Sequence, residues 1–288
     1  MARVRVDGGN RLRDVLIGGQ DLDGLLGGQM VSAKMSYAAD QIGQFTLEMI
    51  DNVSGQIVKS GLIRKGVSFD YGDQQLVISS LSYSPAPGGV RIKVDARSRL
   101  ISSLRKQTGK ASWGTTSVAG WVSARVAEAQ GTSVQQELGT ESITRQDGND
   151  EEASWDVMRR LADTKGAWCF ECDNAVTFGK PSWIAGRPST RVWSQFWNAP
   201  TEHSEELLEF PGYEMSEEGE TPETLTVKWL SDEAEQARPG QVLDLGGTGV
   251  GAAAGRWILT GVDDPISRIE PFTITAQRIV DPVPPKSA

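Results

Sequence analysis

The sequence predicts a mainly β protein in which a small α+β unit is inserted between two β parts. Three observations carry that prediction. Short alternating apolar runs recur roughly every ten residues near the start of the chain and again after residue 223. Between those stretches the apolar spacing changes to three and four residues, the helical period. Clusters of Gly, Pro, Asn and Asp punctuate the runs where turns are needed.

In the first β part, residues 3–6 alternate charged and apolar side chains. Residues 44–50 alternate again and put Phe45, Leu47 and Met49 on one face. Residues 67–71 repeat the pattern and stop at Gly72-Asp73. Residues 76–81 and 90–95 come next, divided by the turn signal Pro85-Ala86-Pro87-Gly88-Gly89. This spacing predicts an antiparallel barrel or sandwich, with helix confined to short pieces at 52–60 or 99–106.

In the middle, Val118, Trp121, Val122, Val126 and Ala129 share one helical face, with Ser117 as N-cap and Gly131 as the stop. Asp147-Gly148-Asn149-Asp150 reads as a loop. Ser154 reads as the cap of a second helix, whose apolar residues are Trp155, Val157, Met158, Leu161 and Ala162 and whose stop is Gly166. Two strands, 167–172 and 175–178, flank a tight turn at Asp173-Asn174. Residues 181–190, with Pro181, Gly186 and Pro188, read as a linker or long loop. Strands return at 223–230, 241–245, 257–262 and 271–280, before an extended, proline-rich tail at 281–286. The expected division is residues 1–108, 109–182 and 183–288. No strict sequence repeat links the two β parts.

Composition narrows the function classes. The chain has 288 residues and a formal net charge of -9. That charge argues against a surface that binds DNA or RNA, and fits one that nucleic acid slides past. The acid is concentrated between residues 201 and 223, while Arg3, Arg5, Arg11 and Arg13 mark the start. No apolar run approaches the roughly 20 residues of a membrane span. The first residues lack the apolar core of a secretory signal, so synthesis and assembly in a cytoplasm are expected, with no stable membrane insertion.

The catalytic candidates are few. His203 is the one histidine, in an acidic and weakly apolar stretch, and reads as an exposed imidazole. Cys169 and Cys172 sit in a strand-like run rather than at the start of a helix, so they read as ordinary thiols. With His203 they do not supply a usual zinc set. The stretch 247–252 matches GxGxxA after a strand, but the chain then enters another strand. A dinucleotide loop needs a helix there, so a connection between antiparallel strands is expected. Residues 147–150 lack the spacing of a calcium loop. The acidic stretch offers carboxylates for glycoside hydrolysis, yet no apolar pattern singles out two of them. No catalytic, cofactor-binding or metal-binding residue is therefore assigned, and no enzymatic activity or cofactor is expected. Of the nine tryptophans, Trp121 and Trp155 read as core; Trp193 and Trp197 read as interface residues.

The order of features resembles the tail hub, or baseplate hub, proteins of tailed phages, the group of late control protein D and the T4-type hub. The resemblance rests on Glu152-Ala153-Ser154-Trp155-Asp156-Val157-Met158 leading to Leu161-Ala162, then Gly166-Ala167-Trp168-Cys169-Phe170 and Val176-Thr177-Phe178-Gly179. It rests also on residues 62–72 with Ala96-Arg97-Ser98, and on Arg238-Pro239-Gly240 leading into Gly255-Arg256-Trp257-Ile258. It implies two tail-tube-like antiparallel β-barrel domains around the α+β unit. It implies a homotrimer whose six tube domains form a pseudo-hexameric ring at the tail tip, part of the virion. The implied partners are the tail tube or distal tail protein, the tape measure protein, tip fibre or spike proteins, and DNA in transit. Part of the acidic stretch, or other carboxylates, is expected to face the channel. The short form resembles a siphophage hub without a lytic or receptor-binding extension. Two other readings compete. One is a carbohydrate-binding tip module using exposed tryptophans, and the other is a glycosidase or peptidase using the acidic stretch.

Overall fold

The computed structural model describes residues 15–17, 20–21, 29–39, 42–52, 54–108, 116–137, 142–143, 152–199, 202–215, 222–266 and 270–279. The predicted strand at 3–6, the loop at 147–150, Trp113 and the tail at 281–286 lie outside the described residues.

The chain is mainly β. Strands β1 (Val15–Ile17), β2 (Gln20–Asp21), β3 (Met30–Ala38) and β4 (Gln44–Asn52) lead to helix α1 (Gln56–Ser60). Strands β5 (Ser68–Tyr71), β6 (Gln74–Ala86) and β7 (Gly89–Ser98) come next, and β7 runs directly into α2 (Arg99–Lys106). Phe45, Leu47 and Met49 are buried on one face of β4, as the alternation requires. Both candidate short helices form. The side chain of Ser98 accepts from the Ile101 N–H and caps α2.

The middle segment holds β8 (Thr116–Ser117), α3 (Val118–Glu128), β9 (Ser133–Gln136), β10 (Ser142–Ile143), α4 (Ser154–Asp163), β11 (Trp168–Cys172) and β12 (Ala175–Gly179). Ser117 caps α3 by accepting from the Gly120 N–H at 3.0 Å. Ser154 departs from its expected role. Ala153 occupies the cap position, and the Ser154 hydroxyl donates to the Gln107 carbonyl at 3.2 Å. Thr108 and Ala153 form an isolated β-bridge, so the chain enters α4 from a paired extended segment and not from a free capping loop. The β11–β12 turn has Asp173 at φ 53° and Asn174 at φ 60°, the left-handed pair of a type I′ hairpin turn.

The third segment contains α5 (Pro181–Gly186), β13 (Val192–Ala199), β14 (Glu202–His203), β15 (Gly212–Glu214), β16 (Thr224–Trp229), β17 (Val242–Gly246), β18 (Gly255–Pro265) and β19 (Phe272–Arg278). The expected loop at 181–190 begins as helix α5. Proline at a first helical position has its φ preset and lacks an N–H that would go unused. Ile184 and Ala185 then fill the space between Phe170, Val242 and Ile258.

One sheet runs through both β parts in the order β14-β13-β17-β18-β3-β4-β7-β6-β5-β1-β2, with β19, β16 and β15 branching from β18. The junction is β18. Its first half pairs with β17, its second half pairs with β3 from Gly261↔Ala38 to Pro265↔Lys34, and β19 lies along its other edge. The large sheet is mixed, which corrects the purely antiparallel expectation for the β parts: β13 pairs with β17 in parallel. A separate three-stranded sheet in the α+β unit, β11-β12-β9, also holds a parallel pair, β12 with β9. Each parallel pair needs a long crossover. The first is supplied by β14 to β16, the second by the segment carrying α4 and β11.

A single apolar core spans both β parts, from Met35, Phe45 and Ile92 to Trp193, Trp229 and Trp257. The α+β unit has its own core, in which Leu100, Ile101 and Leu104 of α2 pack with Trp121, Val122, Trp155, Met158 and Phe178.

Candidate functional site

The sequence-predicted chemical residues do not assemble into a catalytic site. Cys169 and Cys172 are both free and lie three residues apart in β11, so they face opposite sides of the strand. Burial raises both thiols above their ordinary range, which disfavours the thiolate that redox or metal chemistry uses. His203 is half-buried, which corrects the exposed reading. Its ring stacks on Trp197 with centroids 4.2 Å apart, and its Nδ1 lies 2.9 Å from the Ser204 carbonyl. Among the described residues, no group of three or more His, Cys, Asp or Glu side chains is arranged to hold a metal ion.

The glycine-rich stretch connects two antiparallel strands, β17 and β18, with only a three-residue 3-10 turn at Gly251–Ala253. Its glycines answer a packing need. A Cβ on Gly247 would lie 2.4 Å from the Trp197 carbonyl oxygen, and one on Gly249 would lie 2.8 Å from the same atom. The Gly249 N–H donates to that oxygen, and Thr248 bonds Asn198. The loop is therefore sewn to β13 and leaves no helix N-terminus for a phosphate.

Trp193 and Trp197 are buried, at 4% and 8% exposure, which corrects their reading as interface residues. Strand alternation decides it. Trp193, Gln195 and Trp197 point inward, while Val192 and Phe196 are exposed on the other face. The Trp193 indole N–H donates to Gln241, and its ring meets Trp229 edge-on at 4.9 Å.

The acidic stretch contains a structural residue that its composition does not reveal. Glu206 accepts from Gln195 of β13 at 2.8 Å, from the Trp229 indole of β16 at 2.6 Å and from Ser231 at 3.1 Å. The backbone around it joins the same two strands. His203 is registered with Trp197, and the Ser204 N–H donates to the Phe196 carbonyl. Leu207 then bridges to Trp229, and the Leu208 N–H donates to the Lys228 carbonyl. Residues 202–208 thus close the gap between the two ends of the path β13-β17-β18-β19-β16. Glu217, Glu218 and Glu220 lie outside the described residues.

A second polar assembly lies where the three segments meet. Glu171, at the tip of the β11–β12 hairpin, accepts from Gln74 of β6 at 3.0 Å and from the Asn174 N–H at 2.9 Å. Gln74 in turn accepts from the Asp173 N–H, and Asn174 donates to the Asp73 carbonyl. Burial pushes the Glu171 carboxyl up to about 7. The hydrogen bonds from Gln74 and Asn174 pull it down, and the nearby Asp173 charge adds to the rise. From the third segment, Arg238 donates to Asp173 at 2.9 Å while its guanidinium covers the Tyr37 ring of β3 at 4.6 Å. Tyr71 of β5 donates to the buried Asp264 of β18 at 2.9 Å. This joint ties the three segments to one another through hydrogen bonds with fixed partners.

The surface adds two faces of a different kind. On one flank Leu208, Phe210 and Met215 are exposed among Glu202, Glu205, Glu209 and Glu214. In the first segment, Val58 of α1 and Tyr83 and Val90 of the β6–β7 hairpin are exposed, as are Lys59, Arg64 and Lys65. Among the described residues, no helix is long and apolar enough to cross a membrane.

No protein-family model and no curated protein matches the sequence. Solved structures match over most of its length. The tail protein from Neisseria meningitidis MC58 superposes with a TM-score of 0.65 at 12% identity, over 92% of this chain and 95% of that one. The 43 kDa tail protein of prophage MuSo2 from Shewanella oneidensis gives 0.59 at 10% identity, over 92% and 95%. The chain thus has the fold of phage tail proteins, and the resemblance read from its motifs holds at that level. The E. coli c3393 protein gives 0.55 at 13% identity, over 86% of this chain and 73% of that one. It is a type VI secretion component described as structurally similar to the T4 bacteriophage tail proteins gp27 and gp5.

Proposed function

We propose that this chain is a structural, non-enzymatic tail hub protein of a phage-type particle. The observation that carries the reading is the β18–β3 ladder, which joins two curled β parts edge to edge into one sheet. A tube wall needs that continuity, because an open sheet edge is a site of uncontrolled pairing. Closure of the second part by residues 202–208 supports its reading as a tube-like barrel, and ring contacts across the Phe45 side chain to Phe69 and Tyr71 support curling of the first. The domains of this reading are residues 1–108, 109–182 and 183–288, with α2 at the end of the first packing into the core of the second.

Three copies then present six tube-like domains as a pseudo-hexameric ring at the tail tip of the virion. The ring joins the tail tube or distal tail protein, and the tape measure protein, to fibre or spike proteins below. DNA passes through it without binding, past channel-facing carboxylates that repel its backbone. The test is the mass and image of the purified chain. A three-fold ring with a central opening is expected; a monomer at all concentrations overturns the reading. Normal DNA ejection by charge-reversed channel variants would remove the repelling wall from it. Burial of Trp193 and Trp197 removes two of the tryptophans open to a glycan-binding reading, while Trp168 and Trp183 are half-buried.

A further inference from the structure

We infer that the acidic apolar face at residues 202–215 of one copy docks onto the basic apolar face of the next copy, formed by α1, its adjoining loop and the β6–β7 hairpin. Charge is segregated between the two faces. From Val192 to Val227 the sequence has no Lys or Arg, and Glu202, Glu205, Glu209 and Glu214 of that stretch are exposed, Glu209 being paired with Lys228 of the neighbouring strand. Between Asp51 and Asp70 it has no acid, and Lys59, Arg64 and Lys65 are exposed. Two single-sign segments of opposite charge on one chain are complementary to each other, and each repels itself.

Both faces also expose apolar area. Phe210 is 51% exposed and Tyr83 54%, the former beside Leu208 and the latter on the same side of its hairpin as Pro85 and Val90. Apolar groups rimmed by charge are the composition of a protein interface. They lie at different places along the sheet path. The acidic face adjoins β13 and β14 at one end of the sheet path, and the basic face adjoins β6 and β7, beyond β17, β18, β3 and β4. We place their contact between chains. A contact between two unlike faces is heterologous, and repetition gives a ring where the rotation between copies closes, here by a third of a turn. The inference rests on the hub reading for its copy number alone. It uses Glu202 to Glu214 for subunit contact and so leaves the channel wall to other carboxylates.

The test is the mass of the full chain in solution by light scattering, at several concentrations and low salt, with circular dichroism as a fold control. Phe210→Ser, Tyr83→Ser and the pair Lys59→Glu with Lys65→Glu are each expected to shift the particle from three copies to one. Adding Glu202→Lys and Glu214→Lys to the lysine pair is expected to restore the ring. A folded double-reversed chain that stays monomeric overturns the pairing of these faces. A wild-type ring whose mass none of the single-face variants changes overturns the interface and leaves the hub reading standing. A wild-type monomer overturns both.

Discussion

The β11–β12 hairpin belongs to two regions of opposite chemistry. At its base, Cys169 and Phe178 sit in the core of the α+β unit among Trp121, Trp155 and Met158. At its tip, Glu171, Asp173 and Asn174 enter a joint held by Gln74 and Arg238. The base is stabilised by burial of apolar area, which is large and non-directional. The tip is stabilised by hydrogen bonds with fixed partners, which contribute less net energy and define orientation. On the proposed hub reading both are needed, since the units must fold and must also stand at set angles to build a ring.

The contrast is lost most completely at the base. Trp155→Ala removes a fully buried indole and is expected to cost about 4 kcal/mol in chemical denaturation; a loss below about 1 kcal/mol would mean that the unit has no tight core. Glu171→Gln probes the tip. Glu171 keeps its proton in the folded chain at pH values where the unfolded chain has lost it, so stability falls as pH rises from 4.5 toward about 7 and stays lower above. The amide retains an acceptor for Gln74 and Asn174 without a buried charge. The variant is expected to gain on the order of 3 kcal/mol at most at high pH, with a smaller gain in acid. A wild-type-minus-variant difference that is flat with pH contradicts the buried, proton-holding carboxyl.

Arg238→Ala separates stability from orientation. It leaves Asp173, 31% exposed, without its ion pair and uncovers Tyr37. A cost of about 2 kcal/mol is expected, together with faster amide exchange at the hairpin tip than at its base. Equal acceleration at both ends would erase the distinction. The smallest effect belongs to Ser117→Ala, which removes the α3 cap and should cost about 1 kcal/mol without altering exchange at the joint.

Local periodicity made much of the fold legible. Residues 44–50 alternate, so Phe45, Leu47 and Met49 had to share a face whatever lay across from them. Asp173-Asn174 between two apolar runs reads as a hairpin because those residues tolerate positive φ. The segment from Val192 to Trp197 resisted the same reading. It has apolar side chains at both alternate sets of positions, so alternation separates the sets without saying which one is inside. His203 and Glu206 were hidden by their acidic neighbours; the partners that bury them, Trp197, Gln195 and Trp229, lie elsewhere in the chain. A glutamate preceding the apolar pair Leu207-Leu208 was the one available signal.

Helices α2, α3 and α4, most strands, the tight turn and the strand-to-strand course of the glycine-rich stretch were legible in residue order, because those depend on neighbours a few residues apart. It took the folded chain to settle that β18 would pair with β17 at one end and β3 at the other, that two strand pairs would run parallel, and that Glu171 and Arg238 would meet at one joint. Strand pairing and buried polar contacts are made between residues far apart in the chain, and the hydrogen-bonding groups of one strand are the same as those of any other. The choice among partners is made by packing of the whole.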